Sequence, residues 1–416
     1  MLWEEWARLM IKKMKKNWKT NKLVEVCDVF GDGDWIEKKD QSSDGIRLIQ
    51  TGNIGNGIYK DRDAKARYIS GQTFKRLHCT EILPGDCLIS RLPDPVGRSC
   101  IIPNNKERMI TAVDCTILRF QKEVIIPQWF IYYSLSQEYQ NQINKQVSGA
   151  TRQRISRNNL GLIEIPIPPL SIQRHIIKKL DKIFAGIEKA RQNTEKNLQN
   201  ARELFEAYLQ SIFANPGKGW EEKALGEIGE ITSSKRVYKR EYVKEGVPFY
   251  RIKEIKELAN KKSITVELFI SKNRYAEIKN IFGVPSAGDI LMTAVGTIGE
   301  TYVVEKEDEF YFKDGNVLWF KKYHSVDPYY LKYVLMAFVE KIKKLSAGAA
   351  YKALTIEKLN KHKIFIPPLP EQRAIVKKLD ALVGETKKLE AIYQKKLTDL
   401  DELKKTVLKK AFAGEL

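Results

Sequence analysis

Residues Ile167-Pro168-Pro169-Leu170 return as Ile366-Pro367-Pro368-Leu369, 199 positions later. Gln173-Arg174 returns at the same offset as Gln372-Arg373, Lys178-Lys179-Leu180-Asp181 as Lys377-Lys378-Leu379-Asp380, and Phe213-Ala214 as Phe412-Ala413. An internal repeat of this kind decides an architecture before any single motif does. Upstream the match loosens: Trp18 answers Trp220, Pro84-Gly85-Asp86 answers Ala287-Gly288-Asp289, and Ser148-Gly149-Ala150 resembles Ala347-Gly348-Ala349. Each half is thus a variable block followed by a closely matching one.

The matching blocks read as helices. Apolar residues step by three and four through Ile176, Leu180, Ile183, Ile187, Ala190, Ala201, Leu204 and Tyr208, then through Ile375, Leu379, Leu382, Leu389, Tyr393, Leu400, Leu403 and Val407. Such a seam, with Lys and Glu on the other faces, predicts two long helices that pair as an antiparallel coiled coil. The proline pairs end the preceding strand and open each helix. In the variable blocks, β-branched and aromatic runs with Gly punctuation predict strands at 45–50, 86–90, 115–120, 263–270, 289–304 and 310–321. One helical stretch follows in each, at 128–146 and 328–345. The fold class is α+β: two mixed, sheet-containing domains (17–165 and 215–365) alternate with two long helices (166–214 and 366–416). A short amphipathic helix at 1–16 precedes them, its Trp3, Trp6, Ala7, Met10 and Met14 face suited to packing or, alternatively, to a membrane surface.

The chain of 416 residues carries 72 Lys and Arg against 52 Asp and Glu, a net charge of +20. The excess is spread over every block, with the largest share, +7, in 215–365. A polyanionic partner is favoured, nucleic acid first. No apolar run is long enough to cross a bilayer and no signal-peptide pattern opens the chain, so a cytoplasmic protein is expected. The five cysteines (Cys27, Cys79, Cys87, Cys100, Cys115) are odd in number and form no CxxC pair, which predicts free thiols and no metal site.

The doubled Pro-Pro-Leu…Gln-Arg signature, each copy heading a long helix after a divergent domain, resembles the specificity subunit of type I restriction–modification systems. The likeness covers about residues 17–416. It implies two target recognition domains, each reading one half of a bipartite, asymmetric target in double-stranded DNA, on helices that set the spacing. It also implies docking of two methyltransferase (M) subunits and, through the complex, restriction/translocase (R) subunits. S-adenosylmethionine, ATP and Mg would then belong to those partners, with no cofactor in this chain. Pro370-Glu371 stands where the first copy has Ser171-Ile172; the difference concerns a helix N-terminus and leaves the likeness intact.

The candidate DNA contacts in the second block are Lys235, Arg236, Tyr238, Lys239, Arg240, Arg251, Lys253, Lys261 and Lys262, a basic cluster with aromatic residues interleaved. In the first block they are Arg47, Lys60, Arg62, Lys65, Arg67, Lys75 and Arg76, with Arg91 and Arg98 flanking a Pro-Gly loop. Arg152 and Arg154 in the Gly149 loop, and Lys352 in its counterpart, suit a phosphate clamp. Lys and Arg neutralise phosphates, and Arg can also read a guanine edge; a solvated basic face is the plainer alternative. No catalytic or metal-binding residue is assigned. Asp327-Pro328-Tyr329-Tyr330 looks like the [DN]PP[YF] loop of adenine methyltransferases but lacks the second proline. A self-sufficient DNA methyltransferase is the rival reading, and a coiled-coil scaffold without DNA binding the third.

Overall fold

The computed structural model describes residues 18–149, 151–313, 315–345 and 355–416; the expected helix at 1–16 lies outside them. The chain forms two compact units. One comprises the residues up to Thr194 together with Lys395–Leu416, and the other Glu195–Gln394. The division falls inside both long helices, Leu170–Ala214 and Leu369–Phe412.

In the first unit, a four-stranded antiparallel sheet runs in the order Cys27–Asp32, Cys115–Phe120, Cys87–Ser90, Ser99–Ile101. A three-stranded sheet of Tyr68–Ile69, Ile46–Ile49 and Met109–Thr111 accompanies it, its last pair parallel. The second unit repeats the plan. Glu230–Thr232, Val317–Lys321, Ile290–Thr293 and Thr301–Val303 form the antiparallel sheet. Tyr242–Val243, Phe269–Ile270, Val247–Tyr250 and Tyr311–Phe312 form the other, again with one parallel pair. Two blocks with little common sequence therefore share one topology.

A small antiparallel ribbon closes each domain: Lys19–Lys22 pairs with Glu164–Ile167, and Glu221–Ala224 with Lys363–Ile366. These ribbons bring the beginning of the domain to the root of the helix that follows it. Each hairpin loop of the large sheet then turns on a glycine at positive φ, Gly97 at 84° and Gly299 at 91°. A Cβ at Gly97 would stand 2.9 Å from the Ile143 side chain, and one at Gly299 would stand 2.4 Å from Val339. Only glycine meets both the torsion and the close approach.

Most expected elements are present; the runs 289–304 and 310–321 each form two strands, and three further differences stand out. The run 263–270 forms a strand only at Phe269–Ile270; Ile264 and Val266 instead pack beside the helix Ile252–Ala259 in a local core. The stretch 128–146 is two helices, Pro127–Ser134 and Gln137–Gln146. The chain turns at Leu135-Ser136, and the Ser136 hydroxyl caps the second helix by accepting from the Tyr139 N–H at 3.2 Å.

The third difference concerns the helix seam. Leu204, Tyr208, Leu389 and Leu403 are 66%, 39%, 42% and 46% exposed, so they do not form it. Leu180, Phe184, Ile187, Arg191, Thr194, Leu198, Ala201, Phe205 and Leu209 face inward on the first helix. The second helix presents the matching Leu379, Val383, Thr386, Glu390, Tyr393, Leu397, Leu400, Lys404 and Leu408. Arg191 pairs with Asp401 and the Lys404 ammonium lies over the Phe184 ring in one unit, while Arg202 meets Glu390 at 2.7 Å in the other. The partners run in opposite directions, which makes the pairing antiparallel.

Candidate nucleic-acid interface

The two repeated glutamines are buried within the fold. Gln173 is fully buried; its Oε1 accepts from the Ile126 N–H at 2.9 Å and its amide donates to the Val124 and Pro168 carbonyls, each at 2.9 Å. Gln372 accepts from the Asp327 N–H at 2.7 Å and donates to the Ser325 and Pro367 carbonyls at 3.2 and 2.8 Å. Each glutamine thus stitches the loop before a domain's helix to the root of the spacer. Trp129 and Tyr330 add matching bonds to the Pro166 and Phe365 carbonyls, at 2.9 and 2.7 Å. Tyr132 donates to Asp181 and Tyr333 to Asp380. Phe412 packs on Trp129 with ring centroids 4.8 Å apart, and Phe213 packs on Tyr330 at 5.7 Å. Each domain is consequently gripped by the start of one spacer helix and the end of the other.

The methyltransferase-like tetrapeptide belongs to the same stitching. Asp327 Oδ1 accepts from the Tyr329 and Tyr330 N–H groups at 2.9 and 3.3 Å, Pro328 opens the helix Pro328–Leu345, and Tyr330 is fully buried. This is an N-cap.

Three arginines of the first block must be removed from the candidate surface. Arg47 is 3% exposed and enclosed by Asp61, Asp63 at 3.0 Å and Glu107 at 3.1 Å. Arg91 is 4% exposed and donates to the Val113 carbonyl at 2.5 Å, with Asp32 3.4 Å away. Arg98 is 8% exposed and gives its hydrogen bonds to four carbonyls, of Thr51, Ile54, Leu92 and Pro95, at 2.7–3.1 Å. Burial lowers the Arg98 pKa from the ordinary arginine value. Its fork binds two loops together, and a guanidinium so buried, with its donors turned to inward carbonyls, is not placed to meet a phosphate.

The other first-block candidates face solvent: Lys60, Arg62, Lys65, Arg67, Lys75, Arg76 and Arg152 are all exposed. Arg76 pairs with the buried Asp40 at 2.6 Å, and Arg154, also exposed, with Asp114 at 3.3 Å. Lys352 lies outside the described residues.

In the second block Lys235, Arg236, Tyr238, Lys239, Arg240, Lys261 and Lys262 are exposed. The Lys235 ammonium sits 4.9 Å from the Phe282 ring centre, and the Arg240 guanidinium 5.4 Å from that of Tyr238. Arg251 is occupied by Glu254 at 2.7 Å and Glu267 at 2.8 Å, and Lys253 shares Glu267 at 2.9 Å. The arrangement thus separates structural from outward cations. One outward aromatic escaped the sequence reading: Trp35, 70% exposed. A lone tryptophan in a polar run gives no signal that separates core from surface.

Among the described residues no helix is long and apolar enough to cross a membrane. All five cysteines are free thiols, four of them buried.

Two like domains, each stitched to paired helices and each presenting exposed cations with aromatic neighbours, define a tandem reader on a helical spacer. The chain belongs to the type I restriction–modification DNA specificity domain family, whose model matches residues 15–196 and again 217–398. A Haemophilus influenzae protein assigned as a type I restriction enzyme specificity subunit is 32% identical over 241 residues, 56% of this chain and 59% of that protein. The EcoKI specificity subunit of Escherichia coli is 23% identical over 91% of this chain and 85% of its own length. Among solved structures, a chain described in work on assembly and conformational transition of the type I system has a TM-score of 0.77 at 20% identity, covering 96% of this chain and 98% of that one. The HsdS subunit of Thermoanaerobacter tengcongensis gives 0.60 at 22%, covering 96% and 97%.

Proposed function

We propose that this chain is the DNA-reading subunit of a type I restriction–modification complex, each domain selecting one half of a split, asymmetric duplex target. The observation that carries the reading is the matched stitching of two divergent domains to one helix pair. Two readers fixed to the same helices make half-site spacing part of recognition, as subunit geometry does for symmetric dimers. The domains differ in sequence outside the stitched regions, so the half-sites differ.

The chain does its work by binding. Outward cations such as Lys60, Lys65, Lys261 and Lys262 neutralise phosphates, and the spacer helices offer the surface on which two methyltransferase subunits dock. S-adenosylmethionine, ATP and Mg act on the methyltransferase and translocase subunits, and the assembly works in the cytoplasm. The Asp327 cap argues against a methyltransferase centre in this chain, because its Oδ1 is committed to two helix N–H groups. Calorimetry of the isolated chain with S-adenosylmethionine tests this assignment. No heat of binding is expected, whereas a stoichiometric site would favour the self-sufficient enzyme.

A further inference from the structure

The two reading domains share a clip that their sequences hide. In the first, the short turn Lys38–Asp40 is closed by the Glu37 N–H donating to the Asp40 carboxylate at 3.1 Å, and the other oxygen takes the Arg76 guanidinium at 2.6 Å. In the second, the turn Lys239–Glu241 is closed by the Tyr238 N–H donating to Glu241 at 2.6 Å, and the other oxygen faces Arg274 at 2.8 Å. Both arginines lie on helices, Gly71–Arg76 and Lys272–Ile281, capped by Ser70 and Ser271.

The clip fixes the backbone; in the first domain the Glu37 carboxylate takes the Trp35 indole N–H at 3.4 Å and the Lys39 ammonium at 2.8 Å, while in the second Tyr238 and Arg240 face outward. Tyr238 is 54% exposed, and Arg240 lies across its ring with no carboxylate within ion-pair distance among the described residues. Arg251 and Arg274, by contrast, each hold two glutamates. At the first clip Trp35 projects just before the turn. The backbone ahead of it is anchored by the Asp34 N–H on the Thr111 carbonyl at 2.8 Å and by the Thr80 N–H on the Asp34 carboxylate at 3.1 Å.

We propose that the clipped turn is where each domain meets base edges, with Arg240 the base-reading arginine of the second domain and Trp35 the aromatic contact of the first. This rests on the reading of the chain as a two-domain DNA reader. A guanidinium resting on an aromatic face keeps its planar fork oriented, and that fork matches the two acceptors of a guanine in the major groove. A lysine at the same place supplies charge without the fork. The ligand chemistry is therefore a duplex whose second half-site contains a guanine opposite Arg240.

The test uses the full chain with its methyltransferase partner, and duplexes carrying the target that the wild-type complex methylates, each with one base pair changed. Arg240→Ala and Arg240→Lys should both lose about 10- to 100-fold in discrimination at one position of the second half-site. Arg240→Lys should keep affinity for non-cognate DNA. First-half discrimination should be unchanged in both, and Trp35→Ala should show the converse pattern. Full discrimination in Arg240→Ala, or a loss equal on cognate and non-cognate duplexes, overturns the proposal and leaves the two-reader account standing. A wild-type complex that discriminates at neither half removes both.

Discussion

Gln173 and Gln372, 199 positions apart in the chain, each make the same three hydrogen bonds: one accepted from a backbone N–H at the mouth of the domain's helix, and two donated to carbonyls on either side of it. Both side chains are fully buried. Replacing either glutamine by alanine takes a partner from three backbone groups, and an unsatisfied buried group costs about 1–3 kcal/mol. Gln173→Ala and Gln372→Ala should each destabilise the chain by about 2–4 kcal/mol in urea unfolding. Gln→Glu should be no better, because a carboxylate cannot donate to the two carbonyls.

Arg98 and Lys60 separate structure from contact within one domain. Arg98→Ala takes the guanidinium from four carbonyls of two loops, leaving those of Ile54 and Pro95 without another donor among the described residues, and should cost about 3 kcal/mol or more. Lys60→Ala, at an exposed position, should change stability by less than about 0.5 kcal/mol while weakening duplex binding. Paired melts and binding isotherms check both; a stable Arg98→Ala protein would contradict the assigned role.

Counterion release makes the phosphate contacts countable. Each neutralised phosphate contributes about 0.9 to the slope of log affinity against log salt. Changing Lys261 and Lys262 together to glutamine should lower that slope by about 2 if both reach the backbone. An unchanged slope would return them to a solvated face.

The thiols should be inert. Burial raises Cys100 and Cys115 to about 12 and Cys79 to about 11, each at nearly closed positions. Burial, with Asp28 adding to it, raises Cys27 to about 12, and its thiol donates to the Leu23 carbonyl at 3.3 Å. A thiol-selective reagent at pH 7.5 should label almost none of the five in the native chain and all five in denaturant, since the thiolate is the reactive form. Rapid native labelling would contradict the packing of the first domain.

The repeat was legible because its residues have fixed partners. A glutamine that must meet three backbone groups, a tryptophan or tyrosine that must reach one carbonyl, and a phenylalanine that must close a helix end leave the same mark in both halves. The seam register was not legible. Leu204 and Phe205, or Leu403 and Lys404, satisfy a step of three or four equally well, and the inward places of Arg191, Glu390 and Lys404 carry charge that an apolar count skips. Nor does sequence say which arginines find partners inside the fold. Arg47, Arg91 and Arg98 are consumed by carboxylates and carbonyls brought from distant loops, while Arg62 and Arg240 are left outside.

Single-molecule sequencing of adenine methylation tests the central claim most directly, in genomic DNA from cells holding the methyltransferase partner with and without this chain, and with a chain whose residues 17–165 come from a relative. The two-reader account predicts a split motif with a fixed gap that appears only with this chain, and an exchange that alters one half while the other half and the gap persist. Methylation that is independent of this chain, or an exchange that alters both halves, would contradict it.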